Sequence, residues 1–127
     1  MQGIGKAFFA SALIYGVLGM LLGLHMGITH NHAQMPTHAH IMVIGWLSFA
    51  VFGFFYAHYG SAVSTTLARV HLWLAQISLA GLVIGLWLLY SGQTQYEPVV
   101  ALSSMAYAVS FLAFAAAAMP VLRTRST

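Results

Sequence analysis

Residues 37–59 read THAHIMVIGWLSFAVFGFFYAHY. After His38 and His40 the stretch is apolar for about the 20 residues a helix needs to cross a bilayer. A helix turns about 100° per residue, so positions two apart lie on nearly opposite faces. His38 and His40 are therefore placed to serve two different neighbours rather than to grip one ion together. Ionisable side chains at membrane depth are costly to keep there, which makes the pair a candidate site. The plainer alternative is a pair of interfacial histidines wetted by headgroups.

The rest of the chain shares the apolar character of this stretch. It has 127 residues, of which 61% are hydrophobic and 4% charged. A soluble domain carries about 25% charged residues. Further apolar runs cover residues 7–28, 70–90 and 99–122, and each is long enough to span as a helix. In lipid the backbone must satisfy its own hydrogen bonds, and continuous apolarity selects helices over a barrel. The first run is longer than the apolar core of a signal peptide and no small-residue cleavage site follows, so it is read as a helix. The expected fold is all-α: an integral membrane four-helix bundle with an up-down-up-down path, one domain over residues 1–127.

Punctuation supports these spans. Pro36 and Thr37 precede the second, with Thr37 as its expected N-cap. Gly60 and the hydroxyl residues after it separate the second from the third. Ser91-Gly92 ends the third, Pro98 suits the first turn of the fourth, and Pro120 falls near its end. Gly19, Gly23 and Gly27 recur every four residues, as do Gly81 and Gly85. Such stripes let helix backbones approach closely in lipid. Trp73 and Trp87 lie near opposite ends of the third span, as interfacial anchors do.

Charge sets the expected orientation. The basic residues are Lys6, Arg69, Arg123 and Arg125, and the only acid is Glu97. An alternating path puts all the basic residues on one side and Glu97 with the histidine-rich loop on the other. The positive-inside rule then makes both termini cytoplasmic and the loop external, in a bacterial-type inner (plasma) membrane. Membrane lipid is the expected surrounding. A net charge of +3 is too small to indicate nucleic acid.

The chain has no cysteine, which excludes disulfides, thiolate metal sites and iron–sulfur clusters. Any cofactor must be held by His, Met, Tyr or backbone groups, and the chain has seven histidines. Imidazole nitrogen binds heme iron, copper and zinc. A heme needs an apolar slot between helices, closed by axial ligands. His38 and His40 stand at the mouth of the second span, with Gly45 and Trp46 about a turn below. Gly45 makes room either for a flat macrocycle or for a neighbouring helix. His25, near the end of the first span, suits a hydrogen bond to a heme propionate or an alternative ligand position. His30, His32 and Met35 in the following loop are candidates for copper or zinc, or are simply solvated.

The ordered set His38-Ala39-His40, Gly45-Trp46, Gly53, Tyr56 and Leu67-Ala68-Arg69-Val70-His71-Leu72-Trp73-Leu74-Ala75 resembles the catalytic subunit of heme–copper oxidases. It is most similar to the tenth and eleventh helices of the cbb-type branch, over residues 37–89. In that family the first histidine of the pair holds the high-spin heme and the second the low-spin heme. The resemblance therefore implies heme b held by His38 and His40, and gives His71 no metal. The family's copper histidines lie on other helices, including a pair near the outer end of the seventh. The equivalent end here, Leu86 to Tyr90, has none, so the resemblance does not extend to oxygen reduction or proton pumping.

The family subunit arranges about twelve helices as three arcs of four, and this chain supplies one arc. The resemblance thus implies a homotrimer, with His40 of one protomer and His38 of the next clamping a heme at each slot. A small membrane cytochrome for electron transfer or diatomic gas binding is the leading expectation, and enzymatic activity is left open. Two alternatives stand beside it. One is a copper- or zinc-binding or transport protein built on His25, His30, His32, Met35, His38 and His40. The other is a non-catalytic accessory subunit of a respiratory complex.

Overall fold

The computed structural model describes residues 1–124 and is helical almost throughout. Four helices are long and apolar enough to cross a membrane: α1 (Gly3–Thr29), α2 (Met35–Ala62), α3 (Thr65–Tyr90) and α4 (Glu97–Arg123). At about 1.5 Å per residue each is nearly 40 Å long, more than the hydrocarbon thickness of a bilayer. Arg125, counted with the basic residues above, lies outside the described residues.

The helix ends follow local chemistry. α1 stops where His30 takes a left-handed conformation, with φ of 53°. The Ser64 side chain accepts from the Leu67 amide 3.3 Å away and caps α3. Pro98 sits in the first turn of α4, where a missing N–H costs nothing, and Glu97 adds a negative charge beside the positive helix end.

α2 departs from expectation in two ways. It begins at Met35, ahead of the expected Thr37 cap, because Pro36 is accommodated in the first helical turn. Thr37 is fully buried inside the helix, and its hydroxyl donates to Gln34 Oε1 at 2.6 Å. The second departure is a π-helical segment, Ile41–Leu47, immediately after His40. There the Ser48 amide reaches back to the Val43 carbonyl, five residues earlier. Such wide turns are rare and concentrate at functional sites.

Packing places like with like at the two ends. Near one end Gln34 donates to the Trp87 carbonyl and to Ser91 Oγ, at 3.1 and 3.0 Å, fastening the start of α2 to the end of α3. At the other end Gln2, Gly60, Thr65 and Arg69 line one cavity. The first is the histidine end and the second the basic end. α1 packs along α2, and α3 along α4. A Cβ on Gly5 would stand 2.8 Å from the Gly53 carbonyl oxygen, so this pair sets the closest approach of α1 to α2. Gly81 and Gly85 of the expected stripe serve α4, facing Ser103 and Val99–Val100. The core is an aromatic cluster around Phe8, Phe49, Phe52 and Tyr56. Large apolar side chains such as Leu24, Ile28, Trp73, Leu112 and Leu122 are exposed, an outer surface suited to lipid or to other apolar helices.

Candidate functional site

His38 and His40 occupy the short α-helical piece of α2 that precedes the π-helical segment. His38 reaches α1, where its Nδ1 lies 2.8 Å from the Gly19 carbonyl oxygen. His40 turns back along its own helix, with Nδ1 2.7 Å from the Pro36 carbonyl oxygen. A carbonyl oxygen only accepts, so Nδ1 carries the proton in both rings and donates it. In the neutral imidazole this leaves the lone pair on Nε2. Both rings are thus held in the tautomer a metal ligand needs, each braced by a backbone acceptor. Among the described residues no hydrogen bond occupies either Nε2. The rings reach different partners.

The position of His38 depends on Gly23. A Cβ there would stand 2.9 Å from His38 Cε1 and 3.6 Å from Nε2. Any larger residue would displace the imidazole. Gly23 also lines an open apolar trough on α1, with Met20, Leu24, Gly27 and Ile28, of about 510 Å³. Met20 continues the surface toward the basic end into a groove of about 180 Å³ formed by Leu13, Gly16, Val17, Met42 and Trp46. His38 packs on Gly23, and Gly23 lines a long apolar face that is open on its outer side.

Gly45 and Trp46 have defined neighbours. Gly45 is buried, and a Cβ there would meet Tyr15 Cβ at 3.0 Å, so the space beside it holds Tyr15 of α1. Trp46 lies over Gly16, whose added Cβ would come 3.3 Å from the indole. Trp46 thus forms a wall of the groove below His38.

The remaining histidines are dispersed. His25 is exposed and lines a cavity of about 340 Å³ with Asn31, Gln34, Trp87, Tyr90 and Ser91. Those neighbours offer hydrogen-bonding groups but no second imidazole. His30 and His32 are exposed in the loop between α1 and α2, and His30 supplies the left-handed turn ending α1. Met35 begins α2 with its side chain exposed. Among the described residues no three His, Cys, Asp or Glu side chains gather where they could hold a metal ion. His58 is exposed near the end of α2, with its ring edge-on to Tyr59.

His71 is the residue sequence reasoning set aside. It is completely buried, and its Nδ1 lies 2.9 Å from the Tyr56 hydroxyl. Its Nε2 has no hydrogen-bond partner. The ring lies among Phe8 of α1, Phe52 of α2 and Phe114 of α4. Leaving a buried polar group unpaired costs about 1–3 kcal/mol. One signal was available: a histidine in the first turns of a span whose neighbours are apolar.

Compared with known protein families, with characterised proteins and with solved structures, the chain matches none. Imidazole is an axial ligand to heme iron, and His38 and His40 each present one whose Nδ1 is bonded to a backbone carbonyl, His38 lying against Gly23.

Proposed function

We propose that this chain is a membrane heme-binding protein in which His38 and His40 are axial ligands to heme b. The observation that carries the reading is the matched pair of backbone hydrogen bonds that fixes Nδ1–H on both rings and leaves both Nε2 lone pairs free. Bound heme supplies one-electron chemistry or, with an open axial position, binds a diatomic gas. The residues of the chain supply the rest. Gly19 and Pro36 carbonyls orient the imidazoles. Met20, Met42 and Trp46 exclude water from the adjoining face. His25 at the histidine end is suited to a propionate.

The reading extends to assembly. The face beside Gly23 has no outer wall, and His40, bonded to the Pro36 carbonyl of its own helix, offers its Nε2 to a second protomer. A heterologous contact, with His40 of one protomer meeting His38 of the next across a heme, closes as a ring. Three copies are our proposal, with the basic end cytoplasmic and the histidine end outside.

A reduced-minus-oxidised optical spectrum of the purified protein tests the assignment. Sharp reduced bands with an intense Soret band support axial imidazole ligation. A carbon monoxide shift assigns an open iron position. A protein that stays colourless after growth with ample heme overturns the proposal.

A further inference from the structure

The one buried imidazole away from the proposed heme ligands has an unusual setting. His71 lies where all four helices meet, near the basic end, with Nε2 unpartnered. Its hydrogen-bond partner is Tyr56. Tyr56 lines a cavity of about 370 Å³ at the basic end, together with Gln2, Thr65 and Arg69. The tyrosine thus touches the cavity on one side and His71 Nδ1, at 2.9 Å, on the other.

We infer that Tyr56 and His71 form a proton-accepting site that exchanges with the aqueous phase at the basic end. This is independent of heme binding. Proton movement follows from the donor inventory. In the resting pair the Tyr56 hydroxyl donates to Nδ1, and Nε2 carries the ring's own proton. Tyr56 passes its proton to Nδ1 as the cavity returns one proton to the phenol oxygen. The product is an imidazolium with N–H at both ring nitrogens, and Nδ1–H now donates to Tyr56. The net change is one proton taken from the cavity.

The surroundings can hold that cation. The ring centroids of Phe8, Phe52 and Phe114 lie 4.8, 4.6 and 5.2 Å from that of His71, within reach for cation–π attraction. The aromatic rings packed on the imidazole are Phe8 of α1, Phe52 and Tyr56 of α2, and Phe114 of α4. Arg69, on the cavity wall two residues before His71, is the nearest charge in sequence and opposes a second one.

The test is NMR of the full-length protein in lipid nanodiscs with 15N-labelled histidine, assigned with His71→Gln. We expect the His71 nitrogens to pass reversibly from a neutral to an imidazolium pattern between pH 8 and 4 with the fold intact. Exchange of their protons with water should slow at least tenfold in Tyr56→Phe, while His58 exchanges unchanged. The wild-type titration stands alone should that variant misfold. A His71 that keeps one neutral tautomer over the whole range without exchanging with water overturns the inference. So does a Tyr56→Phe protein exchanging at the wild-type rate, because the tyrosine would then be a packing partner only.

Discussion

The Tyr107 hydroxyl on α4 donates to the Ile44 carbonyl on α2, 3.0 Å away, inside the π-helical segment. A widened turn disturbs the regular backbone ladder, and a side chain from another helix bonds to it there. Ser48 Oγ adds a second bond, to the Val43 carbonyl at 2.8 Å. The turn that follows the candidate ligands is thereby tied to the opposite hairpin. Tyr107→Phe should lower stability by about 1 kcal/mol, the usual net worth of one hydrogen bond. Reversible unfolding in detergent reads this out, and an unchanged midpoint would mean that α4 does not support the turn.

Gly23 and Gly27 separate ligand positioning from general helix effects. A Cβ at Gly23 meets the His38 ring, whereas one at Gly27 meets nothing within 4 Å. Alanine at either position should favour the helix by up to about 1 kcal/mol. Gly23→Val should nevertheless lose most of the bound heme, and Gly27→Ala should retain it. Pyridine extracts of the two purified variants decide the matter. Equal heme in both would remove Gly23 from the site.

The closest backbone approach gives a stability prediction. At Gly53 an added Cβ would lie 3.0 Å from the Phe9 amide nitrogen and 3.1 Å from the Gly5 carbonyl oxygen. Neither neighbour is the end of a flexible side chain. Gly53→Ala should therefore cost about 1–3 kcal/mol through forced separation of α1 and α2. Thermal melting of the purified variant beside the wild type measures the loss.

The clasp at the histidine end makes a smaller contribution. Gln34 joins Thr37, the Trp87 carbonyl and Ser91. Gln34→Leu should cost roughly 1–2 kcal/mol, since it leaves the buried Thr37 hydroxyl without its acceptor. Faster amide hydrogen exchange in the first turn of α2 is the local signature, and exchange unchanged there would assign the fastening to other contacts.

The four helices were legible in the sequence because apolarity over a span length is a strong signal and every connection carried Gly, Pro or hydroxyl residues. His38 reaches the neighbouring α1, whereas His40 bonds the Pro36 carbonyl of its own helix, which the argument from helix pitch did not anticipate. The start of α2 was misread by three residues, with Gln34 rather than Thr37 at the cap position, because Thr37 looks like a cap and Pro36 is equally at home in a first turn. The π-helical segment left no readable trace. One of its carbonyls, that of Ile44, is bonded by Tyr107, more than sixty residues away. The braces on the imidazoles were hidden for the same reason, since the Gly19 carbonyl has no side-chain signature. His71 was passed over because its aromatic surroundings are contributed by three other helices. Gly45 left two uses open, and only the placement of Tyr15 against it shows what fills that space.

The most direct measurement is the heme-to-chain ratio of the purified wild type beside His38→Ala and His40→Ala, with folding of each verified by circular dichroism. Ligation across protomer boundaries predicts one heme per chain in the wild type, from three sites in a trimer, and loss of heme in either single variant. Full heme occupancy in both folded variants would contradict it.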